Sequence, residues 1–257
     1  MGLRGYANPQ LNEITFIVQI VITVLAFIFN VLLVVIVQRS ARKEIGNYRS
    51  LITFFALSDV YYNCVHFLVY PIPENFGNAY FLRGHGVYTE YVGIAIYAGA
   101  YAHTFPILIF HFLYRLLAIK YPHFLQNFTY FLLALVGATV TCNAIFCSTS
   151  YWFFYPDDEA LLVLTPVLTG SIPLPISHSI DTAAAHQIAL YWAGDTFHGP
   201  RWRNLAGTGI VSCIMCTAYT AILFCCHQIN KHLKETITSN QSIRLHKQLF
   251  RSLVYQV

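Results

Sequence analysis

One carboxylic acid stands deep inside an apolar run of this chain: Asp59, in FFALSDVYYN. Burying a carboxylate in lipid costs about 2.5–3.5 kcal/mol on insertion scales, so an acid kept there is expected to face a polar interior and to work there. The bland alternative is a structural Asp hydrogen-bonded to Asn30 or Asn63. Arg115, in HFLYRLLAIKYP, is the second candidate; on spacing alone it reads as a cationic anchor whose head snorkels to the membrane surface. Glu90, Tyr97, Tyr101 and His103 mark one end of the third apolar segment, where small-molecule pockets form between helices. Aromatic packing and an interfacial tyrosine belt account for them equally well. His66, His103 and His111 match no zinc spacing, so they read as interior polar groups. Gly207-Thr208-Gly209 lacks the rest of a dinucleotide fingerprint, and no nucleophile elbow or P-loop occurs. No catalytic residue, metal or cofactor is expected, and the chain is not read as an enzyme.

The elements that must position these residues are set by solvent. Of 257 residues, 56% are hydrophobic and only 10% charged, where a soluble domain carries about 25% charge. The net charge of +4 sits in short stretches beside apolar runs and gives no nucleic-acid patch. The 7 cysteines form no CxxC pair and no disulfide framework. A helix crosses the hydrocarbon core in about 20 residues. Five runs reach that length, at about 14–37, 51–70, 91–119, 128–154 and 205–226, and Pro106 is expected to kink the third. The fold class is therefore all-α: a transmembrane helix bundle of five complete spans, with residues 1–257 as a single domain. From about residue 242, SIRLHKQLFRSLVYQV places Leu245, Leu249 and Leu253 on one face and cations on others, as the start of a sixth helix.

Charge sets the expected orientation. Arg39, Arg42, Lys43 and Arg49 lie between the first two spans, Lys120 follows Arg115 after the third, and Lys231, Lys234, Arg244, Lys247 and Arg251 follow the fifth. The alternate connections carry Glu74 against Arg83, and Asp157, Asp158, Glu159, Asp181 and Asp195 against Arg201 and Arg203. By the positive-inside rule the basic set is cytoplasmic and the N-terminus lies outside. The apolar patch Leu161–Ile176 is interrupted by Pro166, Pro173 and Pro175 and reads as a loop or re-entrant stretch. In this orientation the glycosylation triplets at Asn127 and Asn240 face the cytosol and carry no glycan. Cys225 and Cys226 end the fifth span, where palmitoylation is conceivable but adjacent unmodified thiols are commoner.

The wording of three stretches resembles the nematode serpentine chemoreceptors of the str type, which are seven-helix G-protein-coupled receptors. They are IGNYRSLITFFALSDVYYNCVHFLVYPIPENFGNAYFLRGHG (45–86), FHFLYRLLAIKYP (110–122) and RLHKQLFRSLVYQ (244–256); 161–193 lies outside the likeness. The resemblance implies that Asn30 and Asp59 belong to a polar network, and that Arg115, with Lys120, faces the G protein. Tyr114 and Leu116 replace the acidic and aromatic neighbours usual beside that arginine, and no outer-loop cysteine is present for the disulfide of many receptors. It further implies a small-molecule ligand, volatile ones included, a heterotrimeric G protein, the lipid bilayer and a second receptor copy as partners. The implied setting is the plasma membrane of sensory neuron cilia. The sixth helix of such a receptor is only begun here, so a C-terminally truncated, non-signalling fragment is one alternative. A transporter or channel is the other; it would want inverted repeats or several intramembrane charges.

Overall fold

Runs of about 20 apolar residues leave the backbone no hydrogen-bonding partner in lipid except itself, so they fold as long helices. The computed structural model describes residues 9–39, 48–76, 79–88, 90–158, 160, 187–192 and 199–235. Its helices are α1 (Pro9–Arg39), α2 (Tyr48–Val69), α3 (Tyr91–Ala102), α4 (Thr104–Lys120), α5 (Phe128–Phe153) and α6 (Trp202–Glu235), with a short 3-10 turn at Pro122–Leu125. Among the described residues five segments are long and apolar enough to cross a membrane, Phe16–Arg39, Tyr48–Val69, Tyr91–Lys120, Phe128–Phe153 and Trp202–His232. Their outer faces stay apolar: Ile17, Phe29, Leu133 and Leu223 are all more than half exposed, an arrangement that lipid tolerates and water does not. The expected sixth helix from residue 242, the Leu161–Ile176 loop and the Asn240 triplet lie outside the described residues.

Two details refine the sequence expectation, which placed a kink at Pro106 and only loops between the spans. The third span is interrupted at His103, between α3 and α4, and Pro106 sits in the first turn of α4. Proline has no N–H to offer the carbonyl four residues earlier; that carbonyl, of Ala102, instead faces the thiol of Cys142 at 3.5 Å. The departure is a three-stranded antiparallel sheet of β1 (Pro71–Phe76), β2 (Ala79–Gly84) and β3 (Gln187–Leu190), in the order β1-β2-β3. It occupies connections that read as loops. The Gly77-Asn78 pair between β1 and β2 is a hairpin signal, while β3 comes from about 100 residues further on and carries no local signal of its partner.

The chain divides into two compact units, Met1–His103 with Thr141–Val211 and Thr104–Val140 with Ser212–Val257. In the first, α2 leads into β1 through Tyr70, which takes the left-handed φ of 42°. Gly86 closes the turn after β2, its N–H on the Val69 carbonyl at 2.9 Å. A Cβ there would lie 2.2 Å from the Leu68 carbonyl oxygen, so no other residue fits. Gly99 of α3 lies close to α5, where a Cβ would stand 2.8 Å from Asn143 Oδ1. In the second unit Phe112 and Leu116 of α4 interlock with Ile222, Cys225 and Ile229 of α6, residues spaced to share one helical stripe on each. Tyr114 packs edge-on against Phe128 and Phe131 of α5.

Candidate functional site

Side chains alternate between the two faces of a strand, and this sheet uses both. Ala79, Phe81, Ile188 and Leu190 point to one face and bury against Ala160. Tyr80, Leu82, Gln187 and Ala189 point to the other, where with Pro71 and Pro73 they roof a cavity of about 420 Å³. The register agrees, since Pro73 pairs with Leu82, Leu82 with Gln187 and Tyr80 with Ala189. The walls are Tyr97, Ala98 and Tyr101 of α3, Phe146 and Ser150 of α5 with Phe154 just beyond it, Tyr191, and Thr208 and Val211 of α6. All of these belong to the first compact unit. The volume lies at the lower end of the about 300–1,000 Å³ usual for small-molecule sites.

The roof is fastened by its third strand. The Ile188 N–H donates to the Phe154 carbonyl at 3.0 Å, and Asn204 Nδ2 of α6 donates to the Ile188 carbonyl at 2.9 Å. The Thr208 hydroxyl donates to the Tyr191 oxygen at 3.3 Å. Beside the roof, Asp157 joins Arg201 in an ion pair, with Arg203 at 3.5 Å. Burial pushes the Asp157 carboxyl up, but the hydrogen bonds from Arg201 and the Ala160 N–H and the two arginine charges outweigh it, leaving its pKa below the ordinary 3.8. Burial, with Tyr191 nearby, raises the Tyr80 phenol above its ordinary range, so that phenol is uncharged at neutral pH.

Of the residues singled out in the sequence, Tyr97 and Tyr101 line the cavity, one helical turn apart on α3. The Tyr97 hydroxyl meets that of Tyr62 at 3.2 Å, and His66 stacks near both rings. The lining does not include Glu90 or His103. Glu90 is the exposed residue that precedes α3 and makes no side-chain cap bond. His103 is buried, and its ring faces the main-chain carbonyls of Ala100 and, at 3.1 Å, Ser58 of α2, which makes it a tie between helices. Asn30 bonds the Ala26 carbonyl at 2.9 Å and Asn63 the Asp59 carbonyl at 2.8 Å. Among the described residues no hydrogen bond links Asn30 to Asp59. In the second unit Arg115 is buried at 8% exposure rather than extended as a snorkelling anchor, while Lys120 is exposed and lies over the Tyr121 ring.

Ser150, Tyr191, Gln187 and Thr208 were not distinguishable in the sequence, because strand pairing across about 100 residues brings them together. Among the described residues none that lines the cavity is acidic or basic. A bound ion would therefore forgo several kcal/mol of hydration without a counter-charge. Tyrosine faces would return at most about 2 kcal/mol to a cation. Among the described residues no three His, Cys, Asp or Glu side chains gather as metal ligands.

A helical, multi-pass membrane protein with a cavity between its helices and a small sheet is the class that this architecture defines. The model of the serpentine type 7TM GPCR chemoreceptor Str family matches residues 15–257, and the chain belongs to that family. It is 27% identical over 243 residues to serpentine receptor class r-10 of Caenorhabditis briggsae, covering 90% of this chain and 69% of the relative. It is likewise 27% identical over 241 residues to serpentine receptor class r-10 of Caenorhabditis elegans, with the same shares covered. No solved structure matches. The family is one of receptors, not of enzymes.

Proposed function

We propose that this chemoreceptor binds a small molecule in the roofed cavity and passes the event to a heterotrimeric G protein, with residues 1–257 acting as a single receptor domain. The observation that carries this reading is the cavity itself: of small-molecule volume, lined by three helices and the sheet. The basic connections at Arg39 and Lys120 belong on the cytoplasmic side by the positive-inside rule, which places the sheet and the N-terminus outside. This orientation fits a plasma-membrane receptor sampling its surroundings, and the family's chemosensory role makes sensory cilia the natural site. A ligand acts by binding one arrangement of the bundle more tightly than another.

Arg115 and Lys120 are the residues we assign to the G-protein side, Asn30 and Asp59 to coupling inside the bundle. The test is nucleotide exchange by a heterotrimeric G protein co-reconstituted with the chain in lipid nanodiscs and challenged with a panel of volatile odorants. At least one odorant should accelerate exchange, and both Arg115→Ala and Arg115→Lys should lower the acceleration at equal receptor amount. Unchanged exchange in both variants would remove Arg115 from the signalling role.

A further inference from the structure

The 3 tryptophans of this chain gather at one end of the first compact unit. Trp152 is the last residue but one of α5, Trp202 is the first residue of α6, and Trp192 follows β3. They are 70%, 74% and 51% exposed. Phe153 and Trp202 also end two of the membrane-crossing segments, so this level is the boundary of the hydrocarbon core. The third strand is stitched to both span ends. Its Ile188 N–H donates to the carbonyl of Phe154, the residue after α5, at 3.0 Å. Just past its other end, the N–H of Arg201, the residue before α6, donates to the Tyr191 carbonyl at 3.1 Å, and Trp192 pairs with Pro200 as an isolated bridge. The strand is thereby held at the plane in which the two spans end.

That plane opens on the headgroup layer, about 5–8 Å deep on each side of the core. We propose that the sheet is seated through its β3 edge in this layer of a phospholipid leaflet, with Trp152, Trp192 and Trp202 as its anchors, rather than standing clear in water. Two observations besides the span ends carry the inference. The first is the exposure of the indoles: in water they would form an apolar patch without a partner. In the headgroup layer each ring lies on acyl chain while its N–H meets an ester carbonyl or phosphate. The second is the backbone of the edge, which asks little of its surroundings. The Ile188 N–H and carbonyl are taken by Phe154 and Asn204, and the Tyr191 carbonyl by Arg201, as a strand beside lipid requires. The partner is the bilayer interface itself, through groups common to all glycerophospholipids, and the seating is independent of what the cavity binds.

The test is tryptophan fluorescence of the full chain in phosphatidylcholine vesicles. Iodide on both sides of the membrane is the aqueous quencher, and brominated phosphatidylcholines are the lipid quenchers. Because the chain holds no other tryptophan, the unaltered protein reports on these anchors alone. Iodide should quench it several-fold less than free tryptophan in the same buffer, and bromines near the glycerol should quench it more than bromines near the bilayer centre. Trp152→Phe combined with Trp202→Phe leaves Trp192 as the sole reporter, which should show the same order. A Trp192 quenched by iodide as fully as free tryptophan, or indifferent to bromine at either depth, would overturn the proposal. Stronger quenching by the deep bromines would overturn it too, by placing the strand inside the hydrocarbon core. Should the double variant fail to fold, the unaltered chain decides: any fraction of its emission fully open to iodide means that an indole stands in water and the seating is wrong.

Discussion

Asp157 sits between Arg201 and Arg203 with its pKa held below the ordinary value. Because the folded value is depressed, the stability this group contributes is complete above pH 3.8 and is lost as acid titrates it below that. The side chain is 35% exposed, so solvent screening limits the pair to about 1 kcal/mol or less. Thermal unfolding followed from pH 7 to pH 3 should show a loss below about pH 4 that Asp157→Asn diminishes; an identical acid profile in that variant would show that the pair does nothing for stability. Tyr91 makes a larger contribution. Its hydroxyl donates to the Ser150 and Tyr151 carbonyls, the latter at 2.8 Å, in the last turn of α5, where no intrahelical donor remains. Tyr91→Phe should cost about 1–3 kcal/mol in urea unfolding, with a cost near zero as the contrary result. At this scale the sequence was partly legible: Tyr97 and Tyr101 could be singled out, with Glu90 and His103, because they lie at the end of the third apolar segment where pockets form between helices. Ser150 could not, since only the surrounding structure brings it to the cavity.

Helices were the most legible elements, because lipid allows an apolar run of membrane-crossing length almost no other conformation. The ends moved by a few residues, and the last helix runs to Glu235, beyond its apolar stretch, since polar residues can prolong a helix once it leaves lipid. Strands were not legible. β1 carries two prolines and β3 only four residues, so neither shows enough period-two alternation to stand out. Close packing between elements can be tested at glycine. Gly99→Leu places side-chain atoms where Asn143 already stands, and overpacking of this kind costs about 1–3 kcal/mol. Gly137 also lies in a helix but has nothing within 4 Å of its Cβ position, so Gly137→Leu is the matched control. The expected outcome is a loss of monodisperse protein on size-exclusion chromatography for Gly99→Leu alone; equal behaviour of both would refute tight contact of α3 with α5.

For the whole molecule, sidedness is the property on which the proposed function depends. Val87, beside the sheet, is 80% exposed, and Phe124, after α4, is 64% exposed, so cysteines placed at either position are open to reagents. A membrane-impermeant maleimide should label Val87→Cys on intact cells and Phe124→Cys only after permeabilisation. The reverse pattern would turn the receptor over and put its cavity on the wrong side. The sheet carries one more consequence at this scale. β1 is its rim strand, and Pro71 and Pro73 lack the amide hydrogens that a further strand would need. A rim built this way cannot recruit the same segment of a neighbouring copy when many receptors crowd one patch of bilayer. The two prolines thereby act as a guard against cross-molecule strand exchange. Replacing both with valine should yield detergent-resistant multimers on gels, and unaltered monomer bands would assign that guard to something else.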